Sequence, residues 1–249
     1  MKKLLIVFGL TSFSVAAVYA QQSSSSKSSV GGLLNNVKKA VGGGGSGSLS
    51  SEDIVSGLKE ALTLGAQKST DKLSAVDGFF KDAAVKILLP EQAQKVEKTL
   101  RNLGMGKLVD DAILSVNRAA EDAAKSATPI FVNAVKKMTI QDGLGILRGP
   151  DTAATSYLKK TTTTDLTAAF KPVIDTSLKK TDATKYWKDV FETYNKLPTT
   201  IKKVDTDLSS YVTQRAMDGI FYYVAQEEIK IRKDPAAQVT DILKKVFGK

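Results

Sequence analysis

Apolar residues recur at helical spacing along most of this chain of 249 residues. The clearest stretch, residues 107–125, carries them on one stripe: Leu108, Val109, Ala112, Ile113, Val116, Ala119, Ala120 and Ala123. A repeat of 3.6 residues is typical of an amphipathic α-helix that buries one face. The one possible strand, residues 85–89, precedes a proline and has no evident partner. The pattern therefore predicts an all-α fold, a single multi-helix orthogonal bundle of about eight to ten helices.

Capping residues divide this helical region. Ser50 followed three residues later by Asp53 is typical of a helix start, and Thr139 with Asp142 repeats the pattern. The Thr-rich stretch 161–164 predicts the end of one helix and the start of the next. The first of these signals places the start of the folded domain near Ser50.

One segment near the C-terminus is apolar on nearly every side. It runs from about residue 207 to 232, and apart from Asp218 its middle, residues 216–225, is almost wholly apolar. A helix without a polar face is normally buried among other helices. We therefore expect a buried central helix here, and Gly219 in its middle allows a neighbour to approach closely.

The first residues of the chain are typical of export. Lys2 and Lys3 precede an apolar run that ends near the small residue Ala20, and together they predict a secretory signal peptide over residues 1–20. We expect the mature protein to be periplasmic or secreted after cleavage near Ala20.

A loose tether is expected between the signal peptide and the domain. Residues 21–49 are rich in Ser and Gly, which predicts a flexible segment. It contains a short amphipathic helix that begins at Val30 and ends at Val41, and this helix docks on the domain or on a partner, or makes at most weak peripheral membrane contact. The helical domain then covers residues 50–249.

The composition restricts the chemistry. The chain has no His and no Cys, so any catalysis is narrowed to carboxylate, Lys or Tyr groups. No motif for a cofactor is found.

Five of the 36 basic residues lie in residues 1–48, which contain no acid, so the rest carries 31 bases against 26 acids. This mild excess disfavours nucleic-acid binding.

Four blocks of the chain, taken in order, match the pattern of a known family. They are LVDDAILSVNRAAEDAA (108–124), GILRGPDTAATSYLKKTT (145–162), YVTQRAMDGIFYYVAQEEIKIRKDPAA (211–237) and DILKKVFG (241–248). Together with the GGLL tract, the EDIVSGLKEAL opening and the preceding signal peptide, these blocks resemble the DUF4197 domain family. The resemblance implies a domain of that family in a bacterial envelope protein, and it brings no catalytic residue with it because the family has no assigned function.

A first candidate site is the polar cluster Asn117, Arg118 and Glu121 on the helix of residues 107–125. The structural interpretation is a solvated ion pair between Arg118 and Asp122, one helical turn apart. The functional interpretation is an anion or carboxylate site, because the guanidinium group offers a forked set of donors.

A second candidate site is formed by Gln214, Arg215 and Asp218, which interrupt the most apolar helix of the chain. Arg215 and Asp218 are three residues apart and can form a buried structural ion pair. The alternative is a polar floor to a ligand cavity.

The aromatic, charged and acidic residues outside these two clusters have simpler interpretations. Aromatic residues at helical spacing (Tyr186, Trp187, Phe191 and Tyr194) line an apolar ligand pocket or belong to the core. Glu228 and Arg232 are expected at a solvated helix end. Acidic neighbours such as Asp110 and Asp111, or Asp142 and Asp151, lack the spaced loop of a calcium site, and no metal is expected.

These observations favour a non-enzymatic envelope protein that binds through a groove between helices. Its partner is an unknown envelope protein or a small apolar or anionic ligand. The alternative is a hydrolase-type enzyme that uses carboxylate, Lys or Tyr groups without histidine. The sequence leaves the ligand and the oligomeric state open.

Overall fold

Seven α-helices make up most of the residues that the structure, a computed structural model, describes. Described are residues 50–181 and 207–238, with separate positions at 183, 184, 187, 188, 192, 195, 196, 203, 241 and 244. Two short 3-10 helices, Glu91–Ala93 and Pro235–Ala237, accompany them. The α-helices are α1 (Ser51–Ser74), α2 (Gln94–Asn102), α3 (Gly106–Ala124), α4 (Ala127–Lys137), α5 (Ile140–Arg148), α6 (Ala153–Lys179) and α7 (Leu208–Lys233).

The prediction of an all-α fold is confirmed over these described residues, which contain no strand. The orthogonal arrangement and the count of eight to ten helices stay predictions. The signal peptide, the tether with its short helix, and Tyr186, Phe191 and Tyr194 lie outside the described residues. In residues 50–181 and 207–238, no helix combines the length and hydropathy that crossing a membrane requires.

Two of the predicted helix starts are confirmed. The Ser50 hydroxyl accepts a hydrogen bond from the Asp53 backbone N–H at 3.1 Å, at the start of α1. At α5, Thr139 accepts from the Asp142 N–H at 3.1 Å, and the Asp142 carboxylate accepts from the Thr139 N–H at 3.0 Å. This reciprocal arrangement pairs two backbone donors that the helix itself leaves open.

The predicted boundary at the Thr-rich stretch 161–164 is wrong, because α6 continues through it. The threonine hydroxyls donate to carbonyl groups one turn earlier in the same helix. Thr162 Oγ1 donates to the Leu158 oxygen at 2.6 Å, and Thr163 Oγ1 donates to the Lys159 oxygen at 2.5 Å. Since the hydroxyls are paired inside the helix, they do not compete with it for backbone groups.

The core lies where α7 packs against α1, α3 and α6. Gly219 of α7 faces Phe79, which is fully buried, and an added Cβ would lie 2.6 Å from the ring atom Cε1. The close approach expected at Gly219 is therefore present. Farther along α7, Phe221 meets Phe131 of α4 edge to face, with ring centroids 5.9 Å apart.

The connection from α1 to α2, residues 75–89, crosses this core without regular structure. It starts with a tight turn in which Asp77 has a positive φ of 69°. Its last residues, 86–89, have no regular secondary structure, and they pair with no strand in the described part of the chain. Several of its backbone groups pair with one another in turns, and those of Phe79, Phe80 and Ile87 are bound by side chains of α3.

Candidate functional site

Asn117 of α3 is fully buried and binds the connection between α1 and α2. Its side-chain oxygen accepts from the Ile87 N–H at 2.8 Å, and its Nδ2 donates to the Ile87 carbonyl at 2.8 Å. The same Nδ2 donates to the Ile113 carbonyl within α3 at 2.7 Å. The amide thus gives Ile87 the two hydrogen bonds that a neighbouring strand would otherwise provide.

Glu121, one turn further along α3, binds the beginning of the same connection. Its Oε1 accepts from the backbone N–H groups of Phe79 and Phe80 at 3.1 and 3.2 Å. Its Oε2 accepts from Arg118 Nη1 at 2.6 Å. The buried carboxylate is therefore matched by two amide donors and one cation, as a charge in the interior requires.

Arg118 completes the cluster, but its partner differs from the predicted one. Besides Glu121, it pairs with Asp77 at 2.6 Å, whereas Asp122 pairs with Lys125 at 2.8 Å. Hydrogen bonds from the Lys81 ammonium and from Arg118 lower the pKa of the Asp77 carboxyl. The structure thus brings together all three predicted residues of this cluster, and they hold residues 77–87 against α3. That they bind a ligand stays a prediction.

The second predicted cluster lies at the surface of α7 instead of in the core. Arg215 Nη1 is 3.6 Å from Asp218 Oδ2, and their side chains are 49% and 39% exposed. Gln214 Nε2 donates to Asp218 Oδ1 at 3.0 Å. The expected ion pair is present, yet the burial assumed for it is wrong, because α7 turns this side outward near its N-terminal end. Ligand binding here also stays a prediction.

A buried ionic cluster occupies the position where a solvated helix end was expected. Glu228 accepts from the backbone N–H groups of Ala154 and Thr155 at 2.9 and 2.8 Å, so it caps α6 from another helix. Arg232 donates to Glu228 at 2.9 Å and to the Ile146 carbonyl at the end of α5 at 2.9 Å. Their side chains are 5% and 10% exposed. No local pattern predicts this cluster, because the partners lie far apart in the chain.

A Tyr–Asp–Lys cluster joins α1, the connection and α7, and no sequence pattern predicts it either. The Tyr223 hydroxyl donates to the Asp82 carboxylate, which pairs with Lys72 at 3.0 Å. The Lys72 ammonium also lies 3.8 Å from the centre of the Tyr223 ring. Burial raises the pKa of Tyr223, and the hydrogen bond to Asp82 adds to this shift. These contacts join three separate segments of the fold.

A concave groove of about 680 Å³ lies on the outer side of α3. Helix α2 forms one wall, and the C-terminal end of α6 with the residues that follow forms the other. Trp187 lines this second wall and stacks on Tyr211 with ring centroids 5.7 Å apart. The apolar lining comprises Leu89, Ala93, Val96, Leu100, Leu108, Val109, Ala112, Leu114, Val116, Ala183, Trp187 and Leu208. The size and lining are those of small-molecule sites in proteins.

One end of the groove is polar. There Arg118 and Asp122 of α3 meet Ser177, Lys180 and Thr181 at the end of α6. The Ser177 hydroxyl donates to Asp122 at 3.1 Å, which ties the two helices together. Beyond this end lies a second, more open depression of about 500 Å³, lined by Asp122, Ser177, Lys180, Pro172, Val173 and Thr176. The groove thus has an apolar interior and a polar mouth.

The groove also brings together three carboxylates, each paired with a cation on or just beyond its own helix. The hydrogen bond from Lys125 lowers the pKa of the Asp122 carboxyl. Among the residues described here, no group of three or more acidic side chains is placed to hold a metal ion. The pairs are Glu97 with Arg101 at 3.0 Å, Asp111 with Lys107 at 2.6 Å, and Asp122 with Lys125 at 2.8 Å.

Comparison with known proteins agrees with the resemblance seen in the sequence. Comparison with curated proteins and with solved structures gives no significant match. The model of the family described as "Protein of unknown function (DUF4197)" matches residues 48–248, which include every helix described above. The chain therefore belongs to the DUF4197 family.

Proposed function

We propose that this chain is an exported, non-catalytic binding protein that holds a small apolar or amphiphilic ligand in the groove beside α3. The observation that carries the proposal is the groove itself. Twelve apolar side chains line it, and its volume of about 680 Å³ lies within the range of about 300–1,000 Å³ for ligand sites. A soluble protein seldom leaves such a concave apolar surface without a use.

The ion pairs in the groove favour binding over hydrolysis. A carboxylic acid that donates a proton near neutral pH needs a raised pKa, usually from burial without a cation nearby. Asp122 has the opposite shift, because Lys125 and Ser177 bind its charged form. The hydrolase alternative therefore has less support. Turnover of nitrophenyl ester or glycoside substrates that is lost in Asp122→Asn would favour it instead.

Export is part of the same proposal and rests on the sequence of residues 1–20, which is typical of a signal peptide. When the full chain is expressed in a bacterium with two membranes, we expect it in the periplasmic fraction. Mass spectrometry of the intact protein should then find Gln21 at the N-terminus. Recovery of an uncleaved chain from the cytoplasm would contradict export and leave the groove proposal standing.

Trp187 provides a direct test of ligand binding. It is the single tryptophan of the chain and lines the groove wall, so a ligand that enters changes its surroundings. We expect dodecanol or dodecanoate, added below the concentration at which either aggregates, to give a saturable change in tryptophan fluorescence. Ala112→Leu, which places three more carbon atoms in the groove, should weaken binding by about tenfold or more.

The matched control is Ala168→Leu, which adds the same atoms at an exposed position of α6. This variant should bind as the unmodified protein does. The proposal fails if neither ligand gives a saturable response, or if Ala112→Leu and Ala168→Leu bind equally well. Thermal unfolding of both variants checks that they are folded.

A further inference from the structure

We infer that the ligand of the groove is an amphiphile with one apolar chain and an anionic head group, and that its head group lies beside Lys180. This inference rests on the proposed function, since it names the class of ligand for the same groove. Three features carry it: the division of the groove into an apolar interior and a polar mouth, the charge balance at that mouth, and the hydroxyl groups around it.

The shape of the site fits a molecule with two unlike ends. The groove is lined mainly by aliphatic side chains, most of them on α2 and α3. At its polar mouth it continues into the open depression of about 500 Å³, whose lining includes Ser177 and Thr176. A ligand with an apolar chain in the groove and a hydrated head in the depression satisfies both surfaces.

The charges around the mouth comprise four cations and three carboxylates once Lys81 is counted. Arg118 pairs with Asp77 and Glu121, each at 2.6 Å, Asp77 also pairs with Lys81 at 2.8 Å, and Asp122 pairs with Lys125 at 2.8 Å. Lys180 is the fourth cation: it adds to the effect of Lys125 in lowering the pKa of Asp122, but it forms no ion pair with any residue in the described part of the chain, and it lines both the groove and the depression. An anionic head group therefore finds an available charge there, whereas a cationic one meets Lys180 as a like charge.

Hydroxyl groups beside Lys180 suit the same head group. Ser177 and Thr181 lie three residues before and one residue after it, and both line the groove. In the structure their hydroxyl groups donate to Asp122 at 3.1 Å and to the Leu178 carbonyl at 3.0 Å. A carboxylate or phosphate can accept from such hydroxyls once they rotate, in addition to pairing with the ammonium group.

Ligands with the same chain and different heads test the inference. Dodecanoate, dodecyl phosphate, dodecanol and dodecyltrimethylammonium are titrated as monomers into the full mature chain, with Trp187 fluorescence as the readout. We expect both anions to bind more tightly than dodecanol, and the cation to bind most weakly. Raising the salt concentration should reduce the advantage of the anions, because the pairing with Lys180 is exposed to solvent.

Lys180→Gln is the variant that isolates the head-group contact, and Lys179→Gln is its control, since Lys179 is equally exposed but does not line the groove. We expect Lys180→Gln to weaken dodecanoate binding by up to about fivefold and to leave dodecanol binding unchanged. Lys179→Gln should change neither. Equal losses of dodecanoate affinity in the two variants would show that only the overall charge matters, and would overturn the inference.

The remaining outcomes separate the inference from the proposed function. If all four ligands bind equally and Ala112→Leu blocks them, the groove binds ligands but the assignment of an anionic head group is overturned. If the chain binds anionic vesicles and gives no response to monomeric dodecanoate, the assignment is also overturned in favour of a membrane surface. If no ligand binds at all, both proposals fail together.

Discussion

At the scale of single residues, the fold depends on a few buried polar side chains that bind backbone groups elsewhere in the chain. Asn117 and Glu121 bind the connection of residues 75–89, and Glu228 binds the start of α6. Buried backbone N–H and C=O groups need partners, and the N–H groups of Phe79, Phe80 and Ile87 find theirs on these side chains. Each of these side chains therefore does for a distant segment what a neighbouring strand or a local cap does in other proteins.

Asn117→Leu tests this role. Leucine has a similar volume, but it leaves the buried N–H and C=O groups of Ile87 without partners. At about 1–3 kcal/mol for each unpaired group, we expect a loss of about 2–4 kcal/mol in the free energy of unfolding, measured by urea denaturation. Asn133→Leu, at an exposed position of α4, should change it by less than about 0.5 kcal/mol. Similar effects for both variants would contradict the assignment.

Glu228→Ala should be more damaging, because it removes the carboxylate that pairs with the buried Arg232 and the cap of the first turn of α6. Removing one member of a buried ion pair costs about 3–5 kcal/mol. Glu227→Ala, at the half-buried neighbouring position, should cost far less. Glu228→Gln keeps an oxygen that can accept from the α6 amides and should fall between the two in thermal unfolding. A Glu228→Ala protein as stable as Glu227→Ala would contradict this reading.

At the scale of elements, the spacing between helices is set by glycines as well as by large side chains. Gly219 allows α7 to lie directly on Phe79, and Gly143 of α5 allows Val55 of α1 to approach within 2.7 Å of where a Cβ would stand. Gly145, also in α5, has open space around it. Since all three are inside helices, they share the same unfavourable helix propensity, and their surroundings alone distinguish them.

Gly219→Ala and Gly145→Ala should therefore shift the melting temperature in opposite directions. The first forces a methyl group against Phe79 and should destabilise by about 1–3 kcal/mol. The second meets no neighbour and should stabilise by about 0.5–1 kcal/mol, because alanine favours the helix. Shifts of the same sign in the two variants would show that the close approach at Gly219 has no energetic effect.

The helices were easier to predict than their mutual contacts. The apolar stripe of residues 107–125 predicted α3 to within one residue at each end, and the capping pair of Thr139 and Asp142 predicted the start of α5. Such signals are local, since a helix face and a cap depend on residues within a turn or two. The Thr-rich stretch misled the prediction because hydroxyl groups also pair inside a helix.

The sites depended on contacts that no local pattern contains. Asn117 was found as a polar residue at the edge of a stripe, but its partner Ile87 lies 30 residues away. Glu228 looked like a solvated residue because its partner Ala154 lies 74 residues away. The groove needs α2 and the end of α6 to lie on opposite sides of α3. Its one visible signal was that α3 carries apolar residues, such as Leu114, outside its main stripe.

At the scale of the whole molecule, the titration behaviour is unusual because the chain has neither His nor Cys. The α-amino group titrates between about pH 5.5 and 8, but no side chain with an ordinary pKa changes its charge in that range. In the described part of the chain, seven aspartates have lowered pKa values, which moves their titration farther from neutrality. They are Asp77, Asp82, Asp110, Asp122, Asp142, Asp151 and Asp207.

We therefore expect a melting temperature that is flat from about pH 5.5 to 8 and falls steeply below pH 4. Hydrogen bonds from Ser210 lower the pKa of Asp207 from 3.8 to about 2. Since the unfolded state takes up protons first as the pH falls, the stability from such groups is complete above the unfolded pKa and is lost between about pH 4 and 2. Calorimetry across this pH range measures the melting temperature. A step in the melting temperature near pH 6–7 would contradict the prediction.

The cap on α6 also has a consequence for the timing of folding. Glu228 is added to the growing chain 74 residues after Ala154, the residue whose N–H it binds. At a synthesis rate of about 5–20 residues per second, the carboxylate that caps α6 is made about 4–15 s after the start of that helix. A fragment that ends at residue 206 should therefore lack a cooperative thermal transition by circular dichroism, whereas the full chain should show one. The nascent protein therefore cannot complete its fold until α7, its last long helix, has been synthesised. During that interval, other factors in the cell have access to the unfolded chain.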